Sequence, residues 1–86
     1  MATVDEVRAG IAVATRQATE GMAALQQASL SLEQARNAFS TATQGSVQPE
    51  ADQANSMLNQ AVQQVSDATN SANAAITIAE GFAARL

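Results

Sequence analysis

Residues 44–49 read Gln-Gly-Ser-Val-Gln-Pro and divide a chain of 86 residues into two halves rich in small and apolar side chains. Gly45 suits the left-handed backbone conformation that ends many helices, and Pro49 suits the first turn of the next one. Because this connection is short, the two helices that it joins are expected to be antiparallel neighbours. The stretch therefore predicts a helical hairpin with its turn at 44–49.

On both sides of the turn, small and apolar residues recur at alternating intervals of three and four. A mean spacing of about 3.5 residues keeps one side of a helix against a partner, as in coiled coils. The first stripe consists of Val4, Val7, Ile11, Ala14, Ala18, Gly21, Leu25, Ala28, Leu32, Ala35, Phe39 and Ala42. The second consists of Ala51, Ala54, Leu58, Ala61, Val65, Ala68, Ala72, Ala75, Ala79, Phe82 and Leu86. The prediction is one all-α domain over 1–86, with helices at about 4–43 and 50–84.

The large members of the two stripes are expected to form the seam between the helices. They are Val7, Ile11, Leu25, Leu32, Phe39, Leu58, Val65 and Phe82. Folding the chain about Val47 sets large residues opposite small ones along much of this seam, which favours dense packing. At the start of the first helix, Thr3 and Glu6 fit a capping box.

Other apolar residues lie off the stripes and are expected to contact another chain. Those in the second helix are Met57, Val62, Ile76 and Ile78. Single exposed apolar residues are ordinary, but so many on a short chain favour a further interface. An Ala-rich hairpin of this size also buries little core by itself. The expected assembly is a two-fold homodimer, or a pair with a related hairpin, forming a four-helix bundle.

The composition argues against several function classes. The chain has no His, Cys, Trp, Tyr or Lys, so we expect no enzyme activity, cofactor, metal site or small-molecule substrate. The net charge is −4 and the four arginines are scattered, which argues against nucleic acid as a partner. No apolar run is long enough to predict stable membrane insertion. The acidic segment 1–6 does not resemble a cleavable signal, so we expect a cytoplasmic protein or export without one.

An acidic hairpin with a central turn resembles the small secreted proteins of type VII secretion, which carry Trp-x-Gly in that turn. The equivalent residues here are Thr43-Gln44-Gly45, with the Gly but not the Trp. The family's export signal, a Tyr followed four residues later by an acidic residue, is matched by Ile76 and Glu80 in spacing only. The resemblance implies a dimeric helical bundle exported in the folded state, or a relative that is no longer exported. In shape the chain is also similar to type III needle subunits, and its Ala/Ser/Thr/Gln-rich seam is similar to chemoreceptor signalling hairpins.

Two functions follow from these observations. The first is a non-enzymatic protein–protein interaction module, connected by the resemblance to a type VII-like secretion system. The alternative is a structural subunit that assembles into filaments or rings through lateral helix packing. Discrete dimers would exclude the second function, and open-ended growth would exclude the first.

Overall fold

The computed structural model describes residues 1–86 and contains two helices, α1 (Val4–Ala42) and α2 (Pro49–Ala84), with no strand. The helices are antiparallel: the Arg8 side chain, near the start of α1, donates a hydrogen bond to the Ala83 carbonyl, near the end of α2. The molecule measures 63 × 18 × 16 Å, close to the length of one helix of this size at about 1.5 Å per residue. The predicted all-α two-helix hairpin is confirmed.

The start of α1 is set by Thr3, whose hydroxyl accepts a hydrogen bond from the Glu6 backbone N–H at 3.1 Å. This bond satisfies one of the N–H groups that a helix leaves unpaired in its first turn. The Glu6 carboxylate does not bond back to Thr3, so only half of the predicted capping box is present. Asp5 and Glu6 both lie in the first turn, where the helix dipole favours negative charge.

The turn is built from a residue that ends α1 and a glycine that reverses the chain. The backbone N–H and the hydroxyl of Thr43 both donate to the Phe39 carbonyl, at 2.9 and 2.8 Å. Gly45 has φ +83°, a backbone conformation that residues other than glycine adopt only at a cost in free energy. The Ser46 N–H then closes the turn on the Thr43 carbonyl at 2.9 Å, and Pro49 is the first residue of α2.

Half-buried residues recur along both helices at alternating intervals of three and four, and no residue is fully buried. In α1 they are Val7, Ile11, Thr15, Ala18, Met22, Leu25, Ser29, Leu32, Glu33, Arg36 and Phe39. In α2 they are Ala51, Ala54, Asn55, Leu58, Ala61, Val62, Val65, Thr69, Ala72, Ile76, Ala79, Gly81 and Ala83. This is the heptad pattern of a coiled coil. We label the heptads so that Leu25 and Leu58 occupy position d, and Met22, Val62 and Ile76 occupy position a.

The seam is rotated by one position from the predicted one. The d residues are those of the predicted stripes, but along most of the hairpin the second seam column lies one residue later in the chain, at a instead of g. Val7, Ala54 and Ala61 are g residues that are half-buried as well. Thus Met22, Val62 and Ile76 are half-buried, whereas Gly21 and Ala75 are exposed. The physical reason is area, because a Met, Val or Ile side chain removes more apolar surface from water than a Gly or Ala does.

The rotated seam also contains polar residues; two of them form hydrogen bonds within their own helix and one forms a hydrogen bond to the opposite helix. The hydroxyls of Thr15 and Thr69 donate to carbonyls of their own helix, at 3.1 and 2.9 Å, as threonines within helices commonly do. Arg36 extends out of the seam and donates from Nη1 to Asn59 Oδ1 at 2.9 Å. Asn55 differs from these three, because its Oδ1 is buried without a partner.

Candidate interaction surfaces

The rotation of the seam changes where one of the predicted seam residues lies. Seven of the eight are half-buried: Val7, Ile11, Leu25, Leu32, Phe39, Leu58 and Val65. The eighth, Phe82, is 47% exposed, and its neighbour Ala83 is half-buried in its place. Phe82 occupies position g, beside the d column, as the half-buried Val7 does, and its contact across the seam stays a prediction.

The four predicted partner-contact residues divide into two pairs. Val62 and Ile76 are half-buried at position a, so each packs partly within the hairpin, and contact of their exposed part with another chain stays a prediction. Met57 and Ile78 are 65% and 71% exposed. Both occupy position c, next to the g column on the helix surface. Their contact with another chain stays a prediction.

The hairpin has two flat sides, one on either side of the seam. A shallow groove on the first side is lined by the g-position residues Ala14 and Ala75 together with Thr15, Ile76 and neighbouring alanines. A groove on the second side is lined by the e-position residues Ala12 and Glu80 together with Arg8 and others. The g columns of both helices therefore border one side and the e columns border the other, as expected for antiparallel pairing.

We call the first side the apolar face and define it by positions g and c of both helices. Its g residues are Val7, Ala14, Gly21, Ala28, Ala35 and Ala42, then Ala54, Ala61, Ala68, Ala75 and Phe82. Its c residues are Gly10, Gln17, Ala24, Ser31 and Ala38, then Glu50, Met57, Gln64, Ser71 and Ile78. Glu50, in the first turn of α2, is the only charged residue among them, and Arg85 continues the c column directly after the end of α2. Between these two ends, the face carries no charge.

We call the second side the polar face and define it by positions e and b. Five of its residues are charged: Asp5, Arg16, Glu33, Asp52 and Glu80. Arg8 and Arg36, at position a, add positive charge to this face. Arg36 donates a hydrogen bond to the e-position Asn59, and Arg8 borders the same groove as Glu80. Leu30, which is 53% exposed, is the one large apolar residue of this face.

No three carboxylates lie close enough together to hold a metal ion, and the sequence has no His or Cys to supplement them. Neither α1 nor α2 includes the length of apolar sequence that a membrane-spanning helix requires.

The chain matches no model of a known protein family, no curated protein and no solved structure. Its functional surfaces are therefore inferred from its own residues.

Proposed function

We propose that this chain is a non-enzymatic protein–protein interaction module that acts as a subunit of a larger helical bundle. The observation that carries the proposal is the large surface left by a hairpin without a fully buried residue. A compact monomer of 8.8 kDa exposes about 4,800 Å², whereas this chain exposes 6214 Å². The excess of roughly 1,400 Å² on one chain is larger than the area of about 800 Å² that each partner buries in a standard protein–protein interface.

A binding role suits the chemistry of the side chains better than catalysis does. Nucleophilic and acid–base catalysis rely mainly on His, Cys, Lys and Tyr or on paired carboxylates in a shielded site. The chain has none of the first four residue types, and every carboxylate except that of Glu33 belongs to an exposed residue. The resemblance to type VII secretion proteins extends the proposal to a secreted bundle, or to a partner of one, in such a system.

Light scattering combined with circular dichroism over a wide concentration range tests this function. We expect one discrete oligomer whose helix content falls on dilution, because each hairpin is stabilised by its neighbour. A chain that stays monomeric and fully helical at every concentration would contradict self-association. Molar mass that rises without limit would instead favour the filament or ring subunit.

A further inference from the structure

We propose that the apolar face is the docking site for a second copy of this chain, in a two-fold dimer whose axis runs along the hairpin. This inference rests on the proposed function and assigns it a surface and a partner. Three observations favour it: the size of the face, its lack of charge, and the way its large and small residues are distributed between α1 and α2.

The area of the apolar face is sufficient for a stable dimer. A side of the rod measuring 63 by 18 Å offers about 1,100 Å² per copy, compared with roughly 800 Å² per partner in a standard interface. Covering it buries no charged side chain between Gly10 and Ala42 or between Ala54 and Phe82. A partner on the polar face would have to pair or desolvate five charges as well as two arginines, which costs several kcal/mol per unpaired ion.

The distribution of large residues makes the apolar face complementary to itself. On α2 it carries Met57 and Ile78, which are highly exposed, and Phe82. On α1 the c positions between 10 and 38 are two Ala, one Gly, one Ser and one Gln. A two-fold contact joins the same surface of both copies, so a patch that carries both projections and hollows can pair with itself. The observations thus favour a dimer in which α1 of one copy packs against α2 of the other.

The pairing within the hairpin fixes which residues meet. The Arg36–Asn59 hydrogen bond sets Met57 near the level of Ala35 and Ala38. The groove shared by Ala14 and Ala79 sets Ile78 near the level of Ala14. A two-fold axis along the rod keeps these levels, so Ile78 of one copy meets position 14 of the other. Every helix in the resulting bundle then has antiparallel neighbours, which the helix dipoles favour.

The first test compares two double variants, measured by sedimentation equilibrium with the full chain. Met57→Glu with Ile78→Glu places two carboxylates on the apolar face, and we expect the dimer dissociation constant to rise at least about a hundredfold. The matched control is Val13→Glu with Leu30→Glu, at two exposed apolar residues. Val13 occupies position f, on the outer edge of the hairpin away from the seam, and Leu30 lies on the polar face. The control adds the same charge and should change the constant by less than about threefold.

A second pair of variants separates assembly from folding. A Cβ at Gly21, on the apolar face, meets nothing within 4 Å in the single chain. Gly21→Gln should therefore raise the helix content of the monomer, since Gln is the better helix former. The same side chain should obstruct the second copy and weaken the dimer about tenfold or more. Gly81→Gln, on the outer edge with only an ordinary contact to Arg85, should raise helicity and leave the dimer unchanged.

Disulfide cross-linking tests the direction of the two-fold axis, because the chain has no cysteine of its own. An equimolar mixture of Ala14→Cys and Ile78→Cys should form a covalent dimer of unlike chains under mild oxidation. The control mixture, Arg16→Cys with Thr77→Cys, lies at nearly the same level on the polar face and should not form one.

Each outcome decides between the two proposals. A dimer that survives Met57→Glu with Ile78→Glu, or that forms the control cross-link, overturns the assignment of the apolar face but leaves the interaction function standing. A wild-type chain that remains monomeric and folded overturns both.

Discussion

The two faces of the hairpin are formed by the same two helices and are nearly equal in size, yet their chemistry differs. The apolar face carries charge only at its two ends, Glu50 near the turn and Arg85 just after α2, whereas the polar face carries five charged residues. Alanine dominates the first face, and covering alanine requires no ion to leave water. The difference indicates that the distribution of charge, more than that of large apolar residues, decides which side of an Ala-rich hairpin can be covered.

The largest expected effect comes from the seam, because both faces depend on it. Leu32→Ala should lower the free energy of unfolding by about 2–3 kcal/mol, at the low end of large-to-small core substitutions because Leu32 is only half-buried. Gln26→Ala, an exposed change on the polar face, should alter stability by less than about 0.5 kcal/mol. Urea denaturation followed by circular dichroism measures both. Equal losses would mean that the faces and the seam have been assigned wrongly.

The next largest expected effect is a gain in stability, and it comes from Asn55, in the seam between the two faces. Asn55 lies in the seam with a buried Oδ1 that has no partner, and such an atom costs about 1–3 kcal/mol. Asn55→Leu should therefore raise stability by about 1–2 kcal/mol and favour the observed rotation of the helices. Thermal melting measures the change. A lower melting temperature would show that the Asn55 amide is satisfied in solution.

The hairpin can be predicted from the sequence more readily than the rotation of its helices. The Gly–Pro punctuation and the two stripes predict the hairpin, since each feature acts locally. The rotation of each helix was predicted wrongly because Ala at position g looks as apolar as a seam residue, although its methyl group buries little area. Position a looks unfavourable because it includes Thr69 and Arg36. In the structure Thr69 bonds to its own helix and Arg36 reaches Asn59.

A smaller effect is expected from the hydrogen bond that anchors Arg36 at the polar face. Arg36→Gln removes the 2.9 Å contact with Asn59 and should cost about 0.5–1 kcal/mol, because the bond is exposed to solvent. The dimer dissociation constant should not change if the second copy covers the apolar face. Sedimentation of this variant checks the point, and weaker association would implicate the polar face.

The smallest expected effect is that of salt on association. Because the apolar face is uncharged between its ends, where Glu50 and Arg85 lie, raising the ionic strength should leave the dissociation constant within about twofold. A polar-face interface would bring the charges of two acidic chains together and would depend strongly on salt. Measuring the dimer equilibrium at low and high sodium chloride distinguishes the two.

The free end of the hairpin differs from the turn in a way that bears on its motions. At the free end, the Val4 and Phe82 side chains are 48% and 47% exposed. Near the turn, Phe39 and Leu58 are less exposed. Opening should therefore begin at the chain termini and travel toward Gly45, as in a zipper. Amide protons of α1 and α2 should exchange with deuterium fastest near the termini and progressively more slowly toward the turn.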